Sequence, residues 1–162
     1  QITLQGIWTL LKNAPKGAKF IIVDLGCGNG DMLRRVSKLG ADLGLDFELI
    51  GIDANLDTIC YAQELSKGYA NISYVQMNIF SEEFNEMKYD IALSTLFLHH
   101  LSDVEIIDKL NLLKESARVG IIVNDLQRSK MAYFLFGIIS FFINIYSIIK
   151  TINYNSSIFV FH

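Results

Sequence analysis

The sequence predicts an α/β domain built on a doubly wound, mostly parallel sheet. Apolar runs of strand length alternate with helical patterns along the chain, and glycine or polar residues follow each run. Such alternation favours a sheet covered by helices on both faces and joined by right-handed crossovers. The 162 residues are enough for one hydrophobic core, so we expect a single domain over 1–162.

Strands are predicted where apolar runs lie between turn residues. In chain order they are FIIVDLG (20–26), FELIGID (47–53), NISYVQMN (71–78), YDIALST (89–95) and RVGIIVND (118–125). The first run is continuously apolar, which is typical of a strand buried on both faces.

Helices are predicted where apolar residues recur along one helical face. In chain order they are GIWTLLKNA (6–14), DMLRRVSKLG (31–40), LDTICYAQELSKG (56–68) and DVEIIDKLNLLKES (103–116). Pro15 and Gly17 end the first helix, and Gly40 and Gly68 are the expected C-terminal ends of the second and third. The acidic residues of FSEEFNEMKYD (80–90) predict a solvated helix face; they are Glu82, Glu83 and Glu86.

The segment after residue 126 is strongly apolar. MAYFLFGIISFFINIYSII (131–149) contains no charged residue and reaches the length of a membrane-span candidate, although Gly137, Asn144 and two serines interrupt it. We favour a helix packed against the sheet or a partner. Contact with a membrane and a homodimer interface are the alternatives.

Composition excludes several classes of partner. The net charge of −3 and the lack of a basic stripe argue against nucleic acid and favour a small-molecule partner. Cys27 and Cys60 lack the paired Cys/His spacing of a metal site, so we predict none, and they form a poor disulfide framework. The N-terminus lacks the pattern of a signal peptide, so we expect a cytoplasmic protein.

Polar and glycine residues collect where the five predicted strands end. In strand order they are Gly26, Gly28 and Gly30; Asp53; Asn78; Ser94 and Thr95, followed by His99 and His100; and Asn124 and Asp125. Because the carboxyl ends of parallel strands meet at one edge of the sheet, this recurrence predicts a ligand site there.

The glycine spacing separates two classes of cofactor. A dinucleotide fingerprint, G-x-G-x-x-G, would need glycine at position 31, which is Asp31. A carboxylate at that position repels a pyrophosphate. The spacing therefore argues against an NAD-dependent enzyme, which is the least favoured of the three interpretations considered. The observed G-x-G-x-G follows Asp24, whose carboxylate suits a ligand that carries an ammonium group.

Three motifs in order resemble the class I methyltransferases that use S-adenosylmethionine (SAM). They are VDLGCGNG (23–30), IGIDAN (50–55) and YDIALSTLFLHHLSD (89–103). The resemblance covers about 18–126 and implies a Rossmann-like sheet, with SAM as cofactor and S-adenosylhomocysteine (SAH) as product.

The resemblance also implies roles for residues at the strand ends. Gly26 and Gly28 would let the loop approach the methionine part of SAM, and Asp24 would hold its amino group through water. Asp53 would accept hydrogen bonds from both ribose hydroxyls. Asn78, where the family commonly has Asp, would bind the adenine amino group. Further cofactor contacts are implied for Cys27, Gly30, Ala54, Ile79 and Thr95.

The acceptor side of the reaction leaves alternatives open. His99 and His100 are candidate catalytic bases, with His99 preferred; alternatively, they only shape the site at the start of the helix after strand four. NDLQRS (124–129) looks like a bacterial subgroup that acts on small phenolic, polyketide or quinone-like molecules by O- or C-methylation. Asn124, Asp125 and Arg128 would contact the acceptor or cap the following helix.

The C-terminal part, 127–162, looks shorter than the family fold, which adds an antiparallel hairpin after this helix. TINYNSSIFVFH (151–162) offers one strand, SIFVFH, and an unpaired apolar edge would invite a second copy. The second interpretation is therefore a non-catalytic, cofactor-binding scaffold that acts through a partner.

Overall fold

The computed structural model describes residues 2–125 and the backbone of 152–153 and 156–161. The strands are β1 Lys19–Leu25, β2 Asp46–Asp53, β3 Ile72–Gln76, β4 Tyr89–Thr95, β5 Ala117–Asp125, β6 Ile152–Asn153 and β7 Ser156–Phe161. The helices are α1 Ile2–Leu11, α2 Asp31–Leu43, α3 Leu56–Leu65, α4 Glu82–Asn85 and α5 Asp103–Ser116, with a 3₁₀ turn at Leu98–His100. The predicted α/β class is confirmed.

The strands form one sheet in the order β3-β2-β1-β4-β5-β7-β6. Strands β1 to β5 are parallel, and β7 runs antiparallel to β5 and to β6. The chain moves outward from β1 to β3 and then returns to place β4 on the other side of β1. The strand order therefore reverses between β1 and β4, where α/β sheets leave a crevice for ligands.

Both faces of the sheet are covered, which explains the continuously apolar strands. Ile22 of β1 belongs to a buried cluster with Leu33 of α2, whereas its neighbour Val23 belongs to a second cluster with Leu113 of α5. Consecutive strand residues point to opposite faces, so an apolar layer on each face requires an unbroken apolar run.

The first helix lies at Ile2–Leu11 and not at 6–14, and neither glycine that was predicted to end a helix does so. Helix α2 continues past Gly40 to Leu43, and Gly44 with φ 68° caps it. Gly40 is instead a packing residue, because a Cβ there would lie 2.5 Å from the Phe47 ring. Helix α3 ends at Leu65, before Gly68, because buried Ser66 caps it and its hydroxyl bonds the Tyr74 hydroxyl at 2.7 Å.

The acidic stretch after β3 has one buried anchor. Helix α4 is only four residues long; Phe84 is buried in it, and Glu82 and Glu83 lie exposed in its first turn. Ser81 caps the helix by accepting from the Phe84 N–H at 3.3 Å. The predicted solvated face is therefore present, with an aromatic residue on the opposite side.

The C-terminal strand SIFVFH is observed as β7, which pairs with the edge of β5. The two-residue β6 pairs with β7 to make a short hairpin that the sequence analysis did not predict, because two residues show no alternation. The edge of β5 is therefore paired, contrary to the expectation of an open edge there. Arg128 and the predicted helix 131–149 lie outside the described residues. Within the described part, no helix is long and apolar enough to cross a membrane.

Candidate functional site

A cleft of about 610 Å³ opens at the carboxyl ends of β1, β4 and β5, beside the strand-order reversal. Five of the predicted cofactor residues line it; they are Asp24, Gly26, Cys27, Gly28 and Thr95. Asn124, at the end of β5, also lines it. The other predicted cofactor residues are not among the described residues that line the cleft; they are Gly30, Asp53, Ala54, Asn78 and Ile79.

The glycine loop between β1 and α2 has an open side at Gly28. Gly26, Gly28 and Gly30 all have left-handed backbones, with φ of 65°, 53° and 76°. A Cβ at Gly26 would clash with the Phe97 ring, and a Cβ at Gly30 would clash with the Tyr74 hydroxyl, whereas at Gly28 nothing lies within 4 Å among the described residues. Gly26 and Gly30 are thus required for packing, and Gly28 leaves room for a ligand to reach the backbone.

Asp24 is a buried carboxyl group near the end of β1. It is 2% exposed, and within the described residues its Oδ1 has no hydrogen-bond partner. Burial raises the pKa of Asp24 to about 7. Because buried polar atoms are nearly always paired, this oxygen points to a ligand that donates a hydrogen bond, and a cation would also restore the ionised form.

Asp53 connects the end of β2 to the glycine loop. Its Oδ2 accepts the Gly28 N–H at 3.3 Å, and its Oδ1 accepts the Asn55 N–H at 2.9 Å. Each carboxylate oxygen has a second lone pair, so both can still accept a hydrogen bond from a ligand. Ala54, next in the chain, is exposed, and its carbonyl accepts from Gln76 Nε2 at 3.2 Å.

The loop after β3 lies beside Asp53, because the Met77 N–H donates to the Asp53 carbonyl at 3.0 Å. Asn78 is exposed, and its Oδ1 accepts the Phe80 N–H at 3.0 Å. Ile79 is buried. Asn78, which is predicted to bind adenine, therefore lies in the loop next to Asp53, which is predicted to bind the ribose.

His99 and Asp125 form a close pair at the ends of β4 and β5. The His99 Nδ1 lies 2.9 Å from Asp125 Oδ1, and the His99 N–H donates to Asp125 Oδ2 at 3.1 Å. When Nδ1 carries the proton and donates to Asp125, Nε2 keeps the free lone pair. The His100 ring lies 4.0 Å from that of His99.

The two histidines do not begin a helix, as one alternative had expected. They lie in the 3₁₀ turn Leu98–His100, and helix α5 begins later, at Asp103. Ser102 and Glu105 form a capping box that fixes this start. The histidine pair is therefore held by Asp125 and by the turn.

Thr3 of α1 was not identified from the sequence. It is fully buried; its hydroxyl accepts from Asn124 Nδ2 at 3.2 Å and lies 3.4 Å from the Thr95 hydroxyl. Ile2 and Thr3 line the cleft, so α1 forms one of its walls. A small polar residue on the buried face of an apolar helix is the only signal the sequence offers.

Leu96 is a second unpredicted lining residue. Its backbone is left-handed, with φ 55°, and its N–H donates to the Asn124 carbonyl at 2.8 Å. This conformation is strained for leucine. The strain leaves the apolar side chain half-exposed at the cleft.

Cys27 lines the cleft, and its side chain is buried. Burial raises the pKa of the Cys27 thiol, and the nearby charges of Asp24 and Asp53 raise it further. The thiol is therefore protonated at neutral pH and is not a nucleophile.

In residues 2–125 and the C-terminal strands, no cluster of three or more His, Cys, Asp or Glu side chains is arranged to hold a metal ion.

Comparison with known proteins assigns the family. A family model described as "Methyltransferase domain" matches residues 22–120. The ubiquinone biosynthesis O-methyltransferase of Rickettsia bellii is 32% identical over 124 residues, which are 74% of this chain and 47% of that protein. The demethylmenaquinone methyltransferase of Bacillus licheniformis is 28% identical over 109 residues, 67% of this chain and 43% of that protein. This chain thus spans less than half the length of both relatives.

A solved structure shares the fold. The magnesium protoporphyrin IX methyltransferase of Synechocystis PCC 6803, determined with bound SAM, superimposes with a TM-score of 0.65 at 17% identity and covers 98% of this chain and 76% of its own. The family match spans most of the parallel sheet and includes the glycine loop, Asp53 and the histidine turn. The chain therefore belongs to the class I SAM-dependent methyltransferases.

Proposed function

We propose that this protein transfers a methyl group from SAM to an oxygen or carbon atom of a small phenolic, polyketide or quinone-like acceptor. The observation that carries the proposal is the cleft itself, in which the backbone of Gly28 shares one cavity with Asp24, whose Oδ1 has no hydrogen-bond partner among the described residues. A ligand with an ammonium group and an uncharged body suits both features.

The residues present fit SAM along its length. Asp24 has the free acceptor that the amino group needs, and Gly28 leaves space for the methionine chain. Both oxygens of Asp53 retain lone pairs for ribose hydroxyls. The exposed Asn78 offers a second lone pair and an amide donor to adenine.

When bound, SAM supplies a methyl group already activated by the sulfonium. What the protein must add is alignment, exclusion of water and a place for the acceptor proton. We assign the proton to His99 Nε2, because Asp125 holds the opposite ring nitrogen and stabilises the imidazolium that forms. His100 packs against His99 and restricts the orientation of its ring.

Three observations support an apolar small-molecule acceptor. The side chains of Ile2, Met32 and Leu96 give the cleft an apolar wall. The stretch 124–129 resembles a subgroup that modifies such molecules, and two relatives are named for ubiquinone biosynthesis and for demethylmenaquinone. A cytoplasmic location and a homodimer stay predictions from the sequence.

Calorimetric titration of the purified protein with SAM, SAH and NAD tests the cofactor assignment. We expect micromolar binding of SAM and SAH and none of NAD. Asp53→Ala should abolish the binding, whereas Asp46→Ala should preserve it, because Asp46 lies exposed at the other end of β2 and pairs only with Lys19 in the described residues. Failure of the folded wild-type protein to bind SAM would contradict the proposal.

A transfer assay with methyl-labelled SAM and a panel of catechols, hydroxyquinones and polyketide-like phenols tests the reaction. Label in an organic-extractable product would identify the acceptor class. Binding of SAM without transfer to any compound would favour the scaffold interpretation instead.

A further inference from the structure

Lys109 of α5 is a buried cation beneath the loop that follows β3. It is 3% exposed, and its Nζ donates to the Ile79 carbonyl at 2.5 Å. The same Nζ lies 4.8 Å from the centre of the Phe80 ring and 5.0 Å from that of Phe84. Within residues 2–125, no carboxylate forms an ion pair with it.

Packing alone does not explain this lysine. Lysine is almost never fully buried unless it is paired, because its charge loses hydration. Burial accordingly lowers the pKa of Lys109. A methionine would fill a similar space without that loss. The two aromatic rings and the carbonyl compensate the charge in part, and all three belong to the same segment, 79–84.

The contacts of Lys109 hold the loop at 78–81 against helix α5. Asn78 Oδ1 accepts the Phe80 N–H, and the Asn78 carbonyl accepts the Ser81 N–H at 2.9 Å. These bonds close a local turn but do not tie it to the rest of the molecule. Lys109 adds such a tie to the burial of the Ile79 side chain, because it comes from α5, thirty residues later in the chain, and holds the carbonyl between Asn78 and Phe80.

We infer that Lys109 is a positioning residue for the nucleoside end of the cofactor. By holding the Ile79 carbonyl and the Phe80 ring, it presents the Asn78 amide and the 42% exposed Phe80 side chain to adenine. The inference rests on the proposed function, since it concerns the same cofactor. It adds a residue that lies far in sequence from every cofactor motif.

The experiment compares two ligands that differ only in the base, SAH and S-inosylhomocysteine. Their dissociation constants are measured by calorimetry for the wild type and for Lys109→Met. We expect Lys109→Met to bind SAH about tenfold more weakly, because binding must then order the loop that carries Asn78, and to lose most of the preference for adenine over hypoxanthine. Lys109→Met with the wild-type preference would overturn the inference.

Leu113→Ala is the matched control. Leu113 lies one turn later on the same buried face of α5, so its truncation weakens the helix packing but leaves the Lys109 contacts with the Ile79 carbonyl and the Phe80 ring in place. A purely structural role for Lys109 predicts the same ligand preference in both variants. We expect the preference to be kept in Leu113→Ala and lost in Lys109→Met.

Phe80→Ala decides the question if Lys109→Met does not fold, because Phe80 is partly exposed and its removal leaves the core intact. We expect this variant to lose the preference for adenine, and retention of the preference would overturn the inference. Failure of the wild type to bind SAH would overturn the proposed function as well, whereas wild-type binding with unchanged variants would overturn only the role of Lys109.

Discussion

At the residue scale, Asp24 couples the cofactor site to pH. Its pKa in the folded protein, about 7, lies above its ordinary value of 3.8. A carboxyl group with a raised pKa stabilises the fold while it is protonated, and this contribution is lost as the pH rises from about 4 through about 7. The ligand-free protein therefore loses stability over this window, whereas the ionised form that binds an ammonium group gains population.

Asp24→Asn should separate these two effects. We expect the variant to be more stable than the wild type at pH 8 by on the order of a few kcal/mol and nearly equal to it at about pH 3.5, because only below the ordinary pKa of 3.8 is Asp24 largely protonated in both the folded and the unfolded protein. Urea unfolding at the two pH values measures this. Equal stability differences at both pH values would contradict the assignment.

The wild-type affinity for SAH should rise between about pH 6 and pH 8, because Asp24 loses its proton in that range. In Asp24→Asn the affinity should be weaker and flat over the same range. Calorimetry across the range gives both curves. A parallel pH dependence in the variant would place the titrating group elsewhere.

His99 and Asp125 should control turnover but not cofactor binding. Once a methyl acceptor has been identified, we expect His99→Gln to lower kcat by about 10²- to 10⁴-fold, the range typical of a lost general base. The dissociation constant of SAM should change little. Asp125→Asn should also lower kcat, since the amide keeps only one of the two oxygens that face His99 and lacks the negative charge that stabilises the imidazolium.

His100→Gln is the control for the histidine pair. The two rings are 4.0 Å apart, yet only His99 bonds to Asp125 through its ring in the described structure. A larger loss of kcat in His100→Gln than in His99→Gln would reverse the assignment of the base.

At the element scale, α1 is joined to the sheet by a polar contact at the cleft. Thr3→Val keeps the shape of the side chain but leaves the Asn124 amide without its partner. We expect it to lower the free energy of unfolding by about 1–3 kcal/mol. Thr9→Val on the same helix should change it by less than about 0.5 kcal/mol, because the Thr9 hydroxyl bonds only its own helix at the surface. Urea denaturation of the two variants measures the difference.

Gly40 in helix α2 tests whether side-chain packing outweighs the helix propensity of a residue. Alanine is favoured over glycine inside a helix by about 0.5–1 kcal/mol. At Gly40, however, the new Cβ would lie 2.5 Å from the buried Phe47 ring, so we expect Gly40→Ala to destabilise the protein by about 1–3 kcal/mol. Gly68→Ala, with no described atom within 4 Å, is the control in thermal unfolding and should be close to neutral.

At the scale of the whole molecule, cofactor binding should appear as added stability. SAH at about one hundred times its dissociation constant should add about 2.7 kcal/mol, because only the folded state binds it. For a chain of this size that corresponds to a rise in Tm of roughly 5–10 °C. Differential scanning calorimetry should show this rise for the wild type, none for Asp53→Ala and none with NAD.

The sequence was sufficient to predict the parallel sheet and the position of its ligand edge. Apolar runs and strand-end residues are local signals, so all five parallel strands were found, and Asp24 and Gly28 line the cleft. The cofactor-binding roles of these two residues and of Asp53 stay predictions. The single domain over 1–162 stays a prediction. Thr3 could not be found, because its partners lie 92 and 121 positions away and leave no local pattern.

Other features depend on the tertiary environment. Gly40 was predicted as a helix cap because a glycine that packs against a ring looks the same in sequence as one that ends a helix. The left-handed Leu96 is set by the Asn124 carbonyl and could not be predicted from a residue type that avoids that conformation. Lys109 resembled any other helical lysine until its burial was seen.

The contact between Thr3 and Asn124 also sets an order of events during synthesis. Helix α1 leaves the ribosome before the strands of the sheet, yet its partners at the cleft are Thr95 and Asn124, which are translated about a hundred residues later. The strand β1 must likewise wait for β4, since Ile22 pairs with Ile91. Closing such long loops is slow, so the nascent chain holds an undocked apolar helix until β5 emerges. The cleft is thus completed only once β5 has emerged, and a chain arrested before β5 cannot form it.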